Sequence, residues 1–252
     1  MKLLLIDVGN TQTVVGLDDG VATSTWRLST QTARTTDEYR LLLSSLLDGK
    51  LDAVGGAALS SVVPPATVAL RAAIHGLVGI EPVVVGPGTR TGMPLRVDNP
   101  REVGADRIVN ALGAVERYGA PVITIDFGTA TTVDLVGGDG EYQGGAIAPG
   151  LTIAAEALVS STAALRRVDV VAPARAAGHN TVEAIQSGLV FGYAGLVDGL
   201  IGRIVAEFGD GDVPLVATGG LADVVVPHCE HAIVLDPHLT LRGLRVVWER
   251  NR

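Results

Sequence analysis

The 252 residues are enough for one large or two modest domains, each with a substantial core. A net charge of −8, with no long Lys/Arg run, argues against a nucleic-acid partner, because phosphate repulsion would go uncompensated. Hydrophobic residues make up 47% but aromatics only 4%, a palette that suits parallel or mixed sheets buried on both faces by helices.

The chain opens on LLLIDVGNTQTV, Leu3 to Val14. Its apolar run stops at Asp7, far too short for a signal peptide or a membrane span. The single Cys229 excludes an intramolecular disulfide and fits a reducing compartment, so the expectation is a soluble, cytoplasmic protein without a membrane partner. After the turn Asp18-Asp19-Gly20, Val21 to Leu28 reads as a strand. Thr35-Thr36-Asp37-Glu38 then supplies the hydroxyl caps and first-turn acids of a helix to about Leu47. Val54 to Val63 reads as a small-residue buried strand. Pro64-Pro65 ends it and opens a helix over Ala66 to Leu77. A short strand at Val83 to Val85 and a Gly/Pro-rich loop from Gly86 to Pro100 precede a helix, Arg101 to Tyr118, that joins the two halves.

The second half opens by repeating the first. VITIDFGTATTV, Val122 to Val133, matches the opening stretch at Ile6/Ile125, Asp7/Asp126, Gly9/Gly128, Thr13/Thr132 and Val14/Val133. A repeat at about half the chain suggests two similar domains, each presenting its turn to a shared cleft; the plainer alternative is two unrelated hairpins that share D-x-G. Next, Gly144 to Gly150 follows a strand and leads into a helix to about Val159. Asn180 to Phe208 is a long, Gly-interrupted apolar helix or helix pair. Pro214 to Ala217 is a strand running into Thr218-Gly219-Gly220, and a helix from Leu239 to about Glu249 closes the chain.

The repeated stretch carries recognisable chemistry. Gly128 lets backbone approach a ligand closely, and Thr129, Thr131 and Thr132 offer hydroxyls to a group such as phosphate. Asp126 would hold a hard cation beside it. Asp7 occupies the same place in the first copy. Asp106, in Gly104-Ala105-Asp106-Arg107, reads either as an acid favoured by a helix N-terminus or, beside the polar Asp98 to Glu102 loop, as part of a site. Thr218-Gly219-Gly220 could face an adenosine or be a plain strand-to-helix turn. The histidines at 179, 228, 231 and 238 lack metal-site spacing, and Cys229 reads as an inert thiol. Gly188 to Leu200 is either core or dimer interface.

DVGNT, SSVVPP, DNPREVGADR, DFGTATT, GGAIAPG and ATGGLA, in this order and spacing, resemble the type III pantothenate kinases of the sugar kinase–actin superfamily. The resemblance covers essentially the whole chain. It implies an α/β fold of two similar ribonuclease-H-like domains, each a mixed β-sheet flanked by helices, facing a central cleft. The domains would be 1–117 and 118–252, the second carrying a homodimer interface and the helix 239–252 able to pack back on the first. It further implies ATP-dependent phosphorylation of pantothenate to 4'-phosphopantothenate, with Asp106 as general base. Asp7, Val8, Gly9, Asn10, Thr11, Gln12, Thr13 and Val14 would wrap the ATP phosphates, Asp7 near Mg2+, and Thr129 would touch ATP. Gly104, Ala105, Asp106 and Arg107 would line the pantothenate pocket, joined by Thr181 from the partner subunit. Asp126 would bind a monovalent cation, K+ or NH4+. Val97 stands where the family often has an aromatic, and Gln12 where Asn is usual. The competing functions are a catalytically silent regulatory relative and another small-molecule phosphotransferase on the same fold. The intact Asp7, Asp106 and Asp126 speak against the first, and the Gly104 to Arg107 element against the second.

Overall fold

The computed structural model describes residues 1–162, 165–209 and 212–252. The chain divides into two compact units: Met1–Met93, Asp98–Glu116 and His238–Arg252 form one, Pro94–Val97 and Arg117–Pro237 the other. The first begins with β1 (Lys2–Val8), β2 (Gln12–Asp18) and β3 (Thr23–Ser29), then α1 (Thr36–Leu46), β4 (Val54–Ser61), α2 (Pro64–Val78) and β5 (Val83–Val84). Helix α3 (Ala105–Tyr118) carries the chain onward. The second unit follows with β6 (Val122–Phe127), β7 (Ala130–Val136), β8 (Tyr142–Pro149), α4 (Leu151–Ser160), α5 (Thr181–Phe208), β9 (Leu215–Thr218), α6 (Ala222–Val225) and β10 (Val234–Leu235). Helix α7 (Leu239–Asn251) ends the chain.

The two sheets have one topology. The first runs β3-β2-β1-β4-β5 and the second β8-β7-β6-β9-β10. In each, three strands form an antiparallel meander, and two more join in parallel, β4 beside β1 and β9 beside β6. Alternation along the strands builds the cores. Leu4, Ile6 and Val8 with Val15 and Leu17 face Leu43, Leu70 and Ile74 of α1 and α2. Ile123, Ile125 and Phe127 with Val133 and Leu135 face Leu151, Ala194, Val197 and Ile201 of α4 and α5.

These paired cores correct the ungapped repeat read from the sequence. Ile6/Ile125, Asp7/Asp126 and Gly9/Gly128 do correspond, but the second strands correspond as Val15/Val133 and Leu17/Leu135, one residue out of step with Thr13/Thr132 and Val14/Val133. The cause is turn length. Val8 pairs with Thr13 across four residues, whereas Phe127 pairs with Thr131 across three. A one-residue difference in a turn must be absorbed this way, since otherwise every side chain beyond it would change faces.

Local chemistry explains most boundaries. Thr35 caps α1 through a reciprocal pair: the Glu38 N–H donates to Thr35 Oγ1 at 3.3 Å and the Thr35 N–H donates to Glu38 Oε2 at 2.7 Å. The expected helix from Arg101 is interrupted. Pro100–Glu102 forms a 3-10 turn under Asn99, Val103 is extended, and α3 starts only at Ala105. The segment Gly144 to Pro149 is a strand rather than a connector. Its register with β7 skips Gln143, and Gly144 takes φ +115° to absorb the bulge. The units also depart from the linear halves 1–117 and 118–252. Residues 94–97 pair with the start of β8, where Tyr142 exchanges main-chain hydrogen bonds with Pro94 and Arg96 at 2.8 Å each. Helix α7 packs on β1, β4 and β5, because Leu241, Leu244 and Val247 carry its apolar stripe into the first unit.

Within the first unit, α3 and α7 cross backbone to backbone. A Cβ at Gly243 would collide with the Val109 carbonyl, and one at Gly113 with the Leu239 carbonyl. Thr240 Oγ1 donates to Asn110 Oδ1 at 2.7 Å beside the crossing. Gly243→Ala is therefore expected to destabilise by roughly 1–3 kcal/mol, the usual penalty for overpacking, read as a lower urea midpoint than wild type at unchanged slope.

Candidate active site

In the first unit the site begins where β1 ends. Alternation that buries Ile6 and Val8 turns Asp7 to the opposite face, where it is partly exposed. The Gly9 N–H then donates to the Gln12 carbonyl at 3.0 Å, closing a turn whose Asn10, Thr11 and Gln12 are exposed. Val8 and Thr13 are buried at 1% and 0% exposure, so only their main chain lies along this turn. Val14 is partly buried beside Asp7 in the strand pairing.

The second element of this unit is the head of α3. Asn99 Oδ1 accepts the Arg101 N–H at 3.3 Å, and Asn99 Nδ2 donates to Glu102 Oε1 at 2.6 Å, which shapes the approach to Gly104. Asp106 folds its carboxylate back over Gly104, so closely that any Cβ there would collide with Oδ1. The Arg107 N–H donates to the same oxygen at 2.8 Å. Gly104, Ala105, Asp106 and Arg107 are all partly exposed. One carboxylate oxygen is thus held by the helix's own backbone.

In the second unit Asp126 has the same place on β6 that Asp7 has on β1, out of phase with Ile125 and Phe127. The Gly128 N–H donates to the Ala130 carbonyl at 3.1 Å, and Thr129 sits in the turn, partly exposed. Two further glycines crowd this turn. Gly219, at φ +100°, lies so near that a Cβ would stand 2.6 Å from Asp126 Oδ1, and Gly150 backs against the Gly128 and Thr129 carbonyls. The Thr218-Gly219-Gly220 segment is thus a strand-to-helix turn into α6 that also borders Asp126. Glycine motifs mark these positions in the sequence, but their closeness to Asp126 and Thr129 comes from the β9–β6 and β7–β8 pairings. The Asp126 carboxylate, bordered by Gly128 and Gly219, which carry no side chain, has the oxygen chemistry that suits a hard cation. Among the described residues no three His, Cys, Asp or Glu side chains gather in one place.

Thr181 is the exposed first residue of α5, where Asn180 Oδ1 accepts the Glu183 N–H at 3.0 Å. It lines a cavity of about 490 Å³ with Leu158, Ile185, Leu189 and Tyr193. Thus Asp7 to Val14 and Gly104 to Arg107 belong to one unit, and Asp126, Thr129 and Thr181 to the other.

The remaining conspicuous residues have structural work. Burial, with Asp198 adding its charge, pushes the Cys229 thiol up to about 11, so it carries little thiolate at neutral pH. Asp198 accepts the Glu230 and His231 N–H groups at 2.8 and 3.2 Å and pairs with His231 Nδ1 at 2.8 Å, pinning that loop to α5. His228 packs edge-on against Phe191.

A family model described as type III pantothenate kinase matches residues 3–203. The type III pantothenate kinase of Geobacter sulfurreducens is 50% identical over 255 residues, covering 99% of each chain. That of Nocardia farcinica is 53% identical over 260 residues, covering 99% of this chain and 98% of the relative. A solved ROK family glucokinase from Streptomyces griseus, in complex with glucose and AMPPNP, aligns at a TM-score of 0.53 and 16% identity, over 99% of this chain and 98% of that one. At that identity the likeness is one of fold, the two-domain sugar kinase/actin type.

Proposed function

The chain belongs to the type III pantothenate kinases and so phosphorylates pantothenate in coenzyme A biosynthesis, and we propose how its residues divide that work. Asp106 is the general base. The observation that supports this role is the asymmetric carboxylate: Oδ1 is engaged by the Arg107 N–H over Gly104, so Oδ2 is the oxygen that would accept the substrate proton. As the hydroxyl oxygen bonds to the γ-phosphorus and the bond to ADP breaks, Asp106 Oδ2 takes the proton. Arg107 orients the carboxylate end of pantothenate, and Gly104 and Ala105 shape the pocket wall.

The Asp7 to Val14 turn receives the ATP phosphates, through the exposed Asn10, Thr11 and Gln12 and the adjoining main chain. Thr129 contacts ATP from the second turn. Asp7 holds Mg2+, and Asp126, with neighbouring main-chain oxygens, holds K+ or NH4+. These cations, when bound, neutralise charge on the phosphates. Both acids sit one residue before the end of a buried strand, beside a glycine turn, and both are partly exposed.

The protein works as a homodimer in which Thr181 serves the partner's pantothenate pocket. Support comes from α5, whose 28 residues are long and apolar enough, by length and composition, to cross a membrane, yet only about a third of its most apolar stretch is buried. Gly188, Gly192, Gly195, Gly199 and Gly202 recur at alternating spacings of four and three, which keeps them on one face. A Cβ at Gly188, Gly192, Gly195 or Gly202 would meet nothing within 4 Å. Each such glycine costs about 1 kcal/mol in a helix relative to Ala. A second copy approaching closely along this face would offset that cost and cover the apolar surface.

Asp106→Asn keeps the shape and removes the base. Pantothenate-dependent ADP release should fall by roughly 10²–10⁴-fold with the circular dichroism spectrum unchanged; near-normal turnover would assign the proton elsewhere. Asp126→Ala should remove most activity together with its dependence on potassium or ammonium, whereas full wild-type activity in sodium alone would overturn that cation role. For the dimer, Asp106→Asn and Thr181→Arg should each be inactive, yet mixing them under subunit exchange should restore roughly a quarter of all sites, because half the dimers are mixed and each then holds one intact site. No recovery, despite exchange seen by native mass measurement, would place Thr181 outside the partner's site.

A further inference from the structure

The residue that leaves the third strand of each meander clasps the turn between the first two. In the first unit the Thr30 N–H donates to the Thr11 carbonyl at 2.9 Å. In the second, the Gly150 N–H donates to the Thr129 carbonyl at 3.1 Å. The two clasps are equivalent by pairing. Gln12 faces Ser29, one residue before Thr30, as Ala130 faces Pro149, one residue before Gly150.

The copies differ in what the clasping side chain does. Thr30 Oγ1 lies 2.9 Å from Thr13 Oγ1, and Thr13 is fully buried. The counterpart of Thr13 is Thr131, also fully buried, and its hydroxyl has no hydrogen-bond partner because Gly150 has no side chain to offer. The first turn is also the longer by one residue, and a longer turn has more conformations to lose. It is therefore the longer turn that carries the second, side-chain bond.

We propose that Thr30 is a positioning residue for the nucleotide: its amide and hydroxyl together hold the Asp7 to Val14 turn in the form that receives the ATP phosphates. The proposal rests on that turn being the phosphate site. Thr30 itself touches no phosphate. It acts through Thr11, on the exposed crest of the turn, and through Thr13, at its buried foot. Removing the Thr30 hydroxyl leaves the Thr13 hydroxyl buried without its partner, a loss the turn relieves by shifting away from the receptive form. The fraction of molecules ready for ATP then falls, and the apparent affinity falls with it. Pantothenate, read by Gly104 to Arg107, is unaffected.

The test is Thr30→Val, which keeps the bulk and the N–H but lacks the hydroxyl, with Thr30→Ser as the conservative variant. KM for ATP should rise about three- to ten-fold in Thr30→Val, the range expected for one buried hydrogen bond, while KM for pantothenate stays at the wild-type value. Thr30→Ser should restore the ATP value. Thr35→Ala serves as the structural control, since it removes the α1 cap five residues away and lowers the melting temperature without touching the turn. An equal rise in both KM values, failure of Thr30→Ser to restore ATP, or the same ATP defect in Thr35→Ala would each overturn the proposal. Gly9→Val separates this inference from its premise. If Gly9→Val weakens ATP binding and Thr30→Val does not, only the role of Thr30 falls. If Gly9→Val leaves ATP binding intact, the turn is not the phosphate site and both readings fall.

Discussion

Each sheet is organised around a strand that carries, one residue before its end, an acid out of phase with the core. In β1, Leu4, Ile6 and Val8 are driven into the α1–α2 layer, each worth about 1.5–3 kcal/mol when fully buried. That burial fixes the strand's register, and the register in turn fixes Asp7 on the other face. A slip of one residue would push the carboxylate into the core and the aliphatic side chains out of it, so the placement of the acid is as secure as the core itself. β6 repeats the arrangement with Ile123, Ile125, Phe127 and Asp126. Apolar packing thus sets the position of both carboxylates.

Several glycines in the protein allow close backbone approach. Gly104 admits the Asp106 carboxylate, Gly150 and Gly219 press on the Asp126 turn, and Gly113 and Gly243 let α3 and α7 touch. Positions of this kind tolerate no side chain, and they explain why so aromatic-poor a chain packs well. On α5, by contrast, a Cβ at Gly188, Gly192, Gly195 or Gly202 would meet nothing within 4 Å. Duplication supplied two equivalent frames, and the differences between them fall at the turns, where one residue of length and one hydroxyl separate the first copy from the second.

Several features were legible in the residues alone. The D-x-G repeat located both turns, because an apolar β-branched run stopping on Asp and Gly has few other structural meanings. The capped start of α1 and the Pro-initiated α2 were readable because the chemistry of a helix end is local. The head of α3 was harder. Asp98 to Arg107 is rich in polar groups and compatible with continuous helix, and only the extended Val103 and the folded-back Asp106 reveal that the helix begins late. β8 was masked by its glycines, which hid the strand between Tyr142 and Pro149, and Gly144 serves a bulge there.

The sequence by itself therefore determined the class of fold, the positions of both glycine turns and, through six ordered motifs, the family and its reaction. Each of these depends on residues close together in the chain. Only the tertiary structure decided the true register of the repeat, the placement of residues 94–97 with the second unit, and the partnership of Thr30 with Thr11 and Thr13. Those outcomes depend on which strand lies beside which. Pairing is selected by the sum of buried area over a whole sheet, a quantity that no short stretch of sequence contains.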